Sequence, residues 1–405
     1  LRVRVATLNK MTRLGKTGKM HLEANPEKIL AEIQDIVIAQ QTAFDQVYTD
    51  IIKELGKKNI FIKNEHQLSK LQKTFVRDYF DEHIHSQIIP LMIESIAYMP
   101  LLKDKSIYLA CVLSNNDKHK LQRYALIEIP TKVLPRFAIL PSEKKEKNII
   151  LLEDIIKFNL PHLFAPFGYN HIKAHIFKVT RDAELEIDND INTNLITEIE
   201  KGLKNRKKGR TTRFVYDREM DETLLNYLVK RLGLTKKANI LPGGRIHNFK
   251  DYMNFPASVF TDLEQRPKPF VHPLLEQPCR IMDVIQERDV LLHFPYHSFH
   301  SIIDLLREAA IDPYVQTIKI TCYRLADDSK LINALLNAVR NGKEVTVMLE
   351  LRARFDEEAN LLWKKRLEEE GVKVLLGFPD MKVHAKLCVI KKKEASITQR
   401  YAFIS

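Results

Sequence analysis

The chain has 405 residues, 45% hydrophobic and 29% charged, with a formal net charge of +12; that length exceeds one ordinary core and predicts two or three domains. No apolar run reaches the ~18 residues of a membrane span, and the N-terminus is basic and polar rather than signal-like. The four cysteines, Cys111, Cys279, Cys322 and Cys388, form no C-x-x-C pair, which excludes a usual zinc site and fits a reducing cytosol.

In chain order, residues 1–20 carry six basic residues and no acid. "NPEKILAEIQDIVIAQQTAFDQVYTDIIKELG" then places Pro26 at a helix start, Ile29, Ile33, Val37, Phe44, Val47, Ile51 and Leu55 at helical spacing, and Gly56 at the stop. A second helix is predicted through Leu68, Leu71, Phe75, Tyr79 and Ile84 to Pro90. Two amphipathic helices of this kind suit a scaffold or an oligomer contact, and neither carries visible chemistry.

From about residue 100 the period shortens. "SIYLACVL", "RYALIEIP", "RFAILP", "NIILLE" and "IKAHIFKVTRD" read as strands, followed by a helix near 190–205, a strand at "TTRFVY" and a helix near 220–232. Residues 201–213, "KGLKNRKKGRTTR", hold seven basic residues and no acid. Such runs attract polyanions, or else they are solvated helix ends. The order of elements predicts an α+β domain, closed by the three prolines of "EQRPKPFVHP" as a linker.

A β/α alternation follows: strand "DVLLHFPY", helix "FHSIIDLLREAAI", strand "VQTIKITCYR", helix "SKLINALLNAVRNG", strand "EVTVMLELRAR", helix "DEEANLLWKKRLEEEG", then strands "VKVLLGF", "MKVHAKLCVI" and "YAFIS". The expected class is multidomain α/β: an N-terminal helical domain (1–98), an α+β head domain (99–266) and an α/β domain (267–405).

The chemistry gathers in the last third. Arg324 closes one strand; Arg352 and Arg354 are two apart at the end of another. In open α/β sheets the ligand crevice lies at the carboxyl ends of the strands. Guanidinium groups grip phosphate oxygens in pairs and stay charged at any working pH. In "MKVHAKLCVI", residues 381–390, strand alternation sets His384 and Lys386 on one face a few ångströms apart. An imidazole among such cations can attack phosphorus. Taken singly, each residue has a structural explanation: a strand histidine can be a core residue, and Arg352 or Arg354 can pair with Asp356, Glu357 and Glu358. The combination is what points to phosphate chemistry.

"HAKL" and its strand resemble the H-x-K core of the phospholipase D superfamily. More closely, "LLHFPYHSF", "ITCYRLADDS", "LELRARFDEEAN", "KVHAKL" and "RYAFIS", in that order, resemble the polyphosphate kinases, and "PTKVLPRFAILP" and "FKVTRDAELEI" resemble that family's head domain. The resemblance implies reversible transfer of the terminal phosphoryl of ATP onto inorganic polyphosphate. His384 would become phosphorylated and Lys386 would neutralise charge beside it. Arg324 and Arg354 would hold the nucleotide and polyphosphate phosphates next to Mg2+. A guanidinium has no lone pair, so neither would ligate the metal.

The same resemblance implies a homo-oligomer, dimer or tetramer, in the cytoplasm, with peripheral association at the inner face of the membrane and no nucleic-acid partner. It also implies that the phospholipase D-like domain is the first of two and incomplete. An asparagine-bearing stretch would precede Leu1, and a second histidine with a nucleotide-contacting tyrosine and arginine would follow Ser405.

Two residues depart from these patterns. Lys391 stands where H-x-K-x4-D has its aspartate, as in other polyphosphate kinases, and His297 stands where the family usually has aspartate. The alternatives are a phospholipase D-type phosphodiesterase, in which "ELRARFDEEAN" has no role, and a non-enzymatic basic module for polyanions, which lacks a groove-reading motif or an aromatic RNA platform.

Overall fold

The computed structural model describes residues 2–13, 25–104, 106–115, 122–142, 145–181, 211–234, 240–261, 267–276, 279–326, 328–351, 357–377 and 381–405. The helix expected near 190–205 lies outside the described residues. The chain is a multidomain α/β protein with two compact units, Leu1–Leu263 and Glu264–Ser405.

The first unit opens with α1 (Arg2–Arg13) and the long α2 (Pro26–Lys57). Helix α2 begins where Asn25 accepts the Glu27 N–H through its side chain, and Pro26 fills a first-turn position that has no use for an N–H. Strand β1 (Ile60–Lys63) follows, then α3 (Lys70–Tyr79), which starts on a Ser69–Gln72 capping box. The second predicted helix does not continue to Pro90 at one pitch. It widens into a π turn (Phe80–Ile84) and then tightens into a 3-10 turn (His85–Gln87), with Phe80 and Ile84 both fully buried.

Beyond it lie β2 (Leu91–Met92), β3 (Tyr108–Ser114), β4 (Arg123–Glu128), β5 (Phe137–Leu140), β6 (Lys147–Leu151), α4 (Leu152–Phe164), β7 (His171–Arg181), β8 (Thr211–Asp217), α5 (Glu222–Arg231) and β9 (Ile240–Gly243). The larger sheet runs β2-β4-β3-β7-β8-β9, and a smaller one runs β1-β6-β5. Side chains on β3 and β7 alternate between two cores. Tyr108, Ala110, Phe177 and Val179 meet Leu224 and Leu228 of α5, while Leu109, Cys111 and Ile176 meet Val76 and the α4 residues Ile155 and Ile156. Burial on both faces explains why β3 reads as an unbroken apolar run.

In the second unit α6 (Ile281–Glu287) and α7 (His300–Ile311) precede β10 (Val315–Cys322), α8 (Lys330–Arg340), β11 (Glu344–Leu349), α9 (Glu357–Glu369), β12 (Lys373–Leu376), β13 (Leu387–Glu394) and β14 (Ile397–Ile404). The sheet order is β12-β11-β10-β13-β14. Strands β10, β11 and β12 are parallel neighbours, whereas β13 is antiparallel to β10 and to β14. Leu305, Leu306, Leu335, Trp363 and Leu367 from the helices pack with Ile318, Ile320 and Val347 in one core. Each such side chain contributes about 1.5–3 kcal/mol when fully buried.

Two sequence expectations need correction here. Residues 289–296, "DVLLHFPY", are not a strand. Pro295 has no N–H for a ladder, and the chain folds back on itself: His297 N–H donates to His293 O at 2.8 Å. His297 Nδ1 in turn accepts the His293 N–H at 2.7 Å. Strand β13 also begins at Leu387 rather than near Met381, for a reason that belongs to the site.

Candidate active site

Because β13 runs antiparallel to β10, its amino end lies at the carboxyl ends of β10 and β11. The segment 381–386 therefore arrives where Tyr323 and Arg324 leave β10 and Glu350 leaves β11. Side chains hold most of that segment, and backbone pairing reaches it only at Lys386. Thr321 Oγ1 donates to Ala385 O at 2.5 Å and accepts the Leu387 N–H at 2.9 Å. Glu350, 2% exposed, accepts the Val383 N–H at 2.7 Å. Backbone bonds from Lys386 N to Ser405 O and from Ser405 N to Lys386 O complete the frame.

His384 is consequently exposed rather than part of a buried strand. It still sits beside Lys386, whose Nζ lies 3.2 Å from His384 Nδ1, 3.4 Å from Nε2 and 2.7 Å from the His384 carbonyl oxygen. Both ring nitrogens lie within reach of Lys386 Nζ, so the imidazole tautomer decides which of them accepts from it. Tyr323 anchors both: its ring centroid is 4.9 Å from that of His384, 5.5 Å from Lys386 Nζ and 5.6 Å from Arg324 Cζ.

The structure thus brings three predicted residues, His384, Lys386 and Arg324, around one aromatic ring. Arg352 and Arg354 lie outside the described residues.

Five contributors were missed in the sequence: Thr321, Tyr323, Glu350, Asn360 and Arg400. Thr321, Tyr323 and Glu350 stand inside quoted motifs, and their signal was position at a strand end. Asn360 is fully buried at the start of α9 and donates to Tyr323 O at 3.1 Å and to Glu350 O at 2.8 Å, tying the two strand ends together.

A cavity of about 930 Å3 opens here, lined by Tyr323, Arg324, His384, Lys386 and Arg400 on its polar side and by residues such as Phe294 and Phe299 on its apolar side. Arg400 adds a further cation, visible only once β14 is placed. Beneath the site, burial pushes the Cys322 and Cys388 thiols up to about 12, so neither thiol competes with His384 as a nucleophile.

Among the described residues no three His, Cys, Asp or Glu side chains converge on a metal. Mg2+ prefers oxygen ligands. The described cations cannot ligate it, Glu350 is buried on a backbone N–H, and Asp289 lines the cavity with no second carboxylate beside it among the described residues. The described site residues do not by themselves fit a bound Mg2+.

Two family models match the chain from residue 71 onward. The polyphosphate kinase middle domain matches residues 71–255, and polyphosphate kinase C-terminal domain 1 matches residues 280–405, which include every described residue of the site. The chain belongs to the polyphosphate kinase family.

Curated polyphosphate kinases agree with this. That of Vibrio parahaemolyticus is 40% identical over 385 residues, covering 94% of this chain and 55% of the relative. That of Escherichia coli K12 is 40% identical over 383 residues, covering 93% and 55%. The crystal structure of polyphosphate kinase from Porphyromonas gingivalis superposes with a TM-score of 0.72 at 28% identity, over 96% of this chain and 56% of that one. The chain spans about half the length of these polyphosphate kinases.

Proposed function

We propose that the chain carries the phosphoryl-accepting half of an ATP:polyphosphate phosphotransferase that works through phosphohistidine at His384. The observation that carries this reading is the contact of Lys386 with the His384 ring, on a cavity that also exposes Arg324 and Arg400.

A lone-pair nitrogen of His384 attacks the γ-phosphorus of ATP. The new N–P bond forms as the bond to the bridging oxygen breaks, and ADP leaves with that electron pair. A terminal oxygen of polyphosphate then attacks the same phosphorus, the N–P bond breaks, and the chain is one unit longer. Every step reverses. Negative charge accumulates on the equatorial and leaving oxygens during each transfer, so positioned cations supply most of the catalysis.

Lys386, already fixed by the His384 carbonyl, stabilises the oxygens nearest the nucleophile. Arg324 takes the nucleotide phosphates, and Arg354 shares that task. The two-step route lets ADP depart before polyphosphate occupies the same cations. The reading keeps the phospholipase D-like assignment of the second unit, Mg2+ as a companion of the nucleotide phosphates, homo-oligomeric assembly, and a cytoplasmic protein that also associates with the membrane surface. No helix among the described residues is long and apolar enough to cross a membrane.

The test uses the complete protein with two substrates. ATP should yield polyphosphate and ADP, and a phosphodiester such as bis-p-nitrophenyl phosphate should be left intact. Diester hydrolysis without polymer synthesis would replace this reading with the phosphodiesterase one.

A further inference from the structure

The first unit holds a second group of cations around a cavity, and no catalytic step above uses it. Register places the group: Thr180 pairs with Arg213 and Lys178 with Val215 across β7 and β8, while Val215 pairs with Leu241 of β9. Lys178 and Arg213 are therefore diagonal neighbours on one sheet face. They line a cavity of about 240 Å3 together with Gly243, Gly244, His247 and Asn248. Phe44 of α2 and Phe249 wall the cavity, with ring centroids 4.6 Å apart. An apolar wall lowers the local dielectric and strengthens whatever charge interaction forms inside.

No acid among the described residues is in contact with either cation, although Asp251 and Asp104 act on Lys178 from further off. Arg213 Nε is buried with no hydrogen-bond partner, and Lys178 Nζ reaches only the Asn248 Oδ1 at 3.4 Å. Among the described residues neither makes an ion pair. The nearby acids are engaged elsewhere: Asp45 with Arg218 at 3.0 Å, and Asp251 with Arg136 at 3.1 Å. Burial, then the charges of Arg213 and Arg136, pull Lys178 down to about 8.

His247 is 3% exposed and its Nε2 has no partner. Burial and the neighbouring cations hold its pKa down at about 3, so it is neutral at working pH and can offer an N–H. At Gly243 a Cβ would come within 2.9 Å of Val215 Cγ1 and 3.2 Å of His247 Cε1, so only glycine lets these groups close up. Two half-buried like charges and an unpartnered buried donor on one cavity favour an anion between them.

We propose that this cavity is a binding site for a phosphate-class oxyanion, held by Lys178 and Arg213 with His247 Nε2–H as a further donor. The anion is either a free phosphate or one phosphate of a polyphosphate chain. Both present the same tetrahedral oxygens, and the guanidinium fork suits either.

The test reads Lys178 itself, because the chain's other basic segments also attract polyanions. The 405-residue chain is acylated with a limiting amine-reactive reagent at about pH 8, near the Lys178 pKa, and the Lys178 peptide is quantified by mass spectrometry. Tripolyphosphate should slow Lys178 acylation roughly tenfold when present at about ten times its Kd, because the bound anion covers the amine and keeps it protonated. The protection should persist in His384→Ala and disappear in Arg213→Gln. Equal protection by orthophosphate identifies a single-phosphate site; protection by tripolyphosphate alone identifies a chain subsite. Unchanged Lys178 acylation with both anions overturns the proposal, and that wild-type comparison requires no variant to fold. Full protection surviving in Arg213→Gln overturns it as well.

Discussion

Replacing Glu153 by alanine should destabilise the first unit by about 3–5 kcal/mol, the largest effect on stability expected from any single charge in it. The reason is the company Glu153 keeps. Its side chain is fully buried and that of Arg136 is 3% exposed, and the two form a fork: Arg136 Nη2 to Oε1 at 2.5 Å and Nε to Oε2 at 3.3 Å. The second guanidinium amine then donates to His247 O at 2.5 Å and Asn248 O at 3.0 Å, besides its bond to Asp251.

This one arginine thus ties β5 and α4 to the 247–251 segment that lines the cationic cavity. Removing the carboxylate leaves a guanidinium buried with mostly neutral acceptors. Calorimetry of the chain should show the transition of the first unit falling by roughly 6–20 °C. The exposed pair Arg340–Glu370, with side chains 66% and 32% accessible, is the control: Glu370→Ala should cost less than about 1 kcal/mol. A Glu153→Ala loss as small as that would mean that the remaining acceptors of Arg136 suffice.

The second large effect is kinetic. In the complete protein Lys386→Met should lower kcat by about 10²–10³, the usual cost of removing one preorganised donor from developing negative charge. The change should fall mainly on kcat and leave KM for ATP near its starting value, because the charge Lys386 answers is largest in the transition state. Lys386→Arg should recover only part of the loss. A planar guanidinium keeps the charge but cannot reproduce an ammonium fixed at 2.7 Å from the His384 carbonyl. A variant with normal kcat and a raised KM would make Lys386 a ground-state binding residue only.

How far these residues could be read from sequence depended on what placed them. Strands β10 and β11 and helices α7, α8 and α9 declare themselves, since their apolar spacing is the direct consequence of packing on one sheet. The closeness of His384 and Lys386 also follows from spacing, although the expected cause was wrong. A side-chain clamp from Thr321 and Glu350, not a strand pleat, sets their geometry, and nothing local in "MKVHAKL" encodes a clamp supplied more than thirty residues away.

"DVLLHFPY" misled because alternating apolar residues suit an irregular segment lining a cavity as well as a strand. The four-residue strands β1 and β9 were too short to show a period, and β9 contains a proline. Arg400, Asn360 and the Lys178–Arg213 pair depend on which strands are neighbours and in which register, information that exists only after folding.

The most direct measurement is of the covalent intermediate. The complete protein is mixed with γ-labelled ATP, Mg2+ being present as for any nucleotide kinase assay, then quenched and digested, and the labelled peptide is identified. The label should sit on His384, survive alkali and be lost in acid, as a phosphoramidate is, and it should be absent from His384→Ala. It should also be discharged by added ADP or polyphosphate, because each can accept the phosphoryl group. An acid-stable label, or one that persists undiminished in His384→Ala, would contradict the assignment of His384 as the nucleophile.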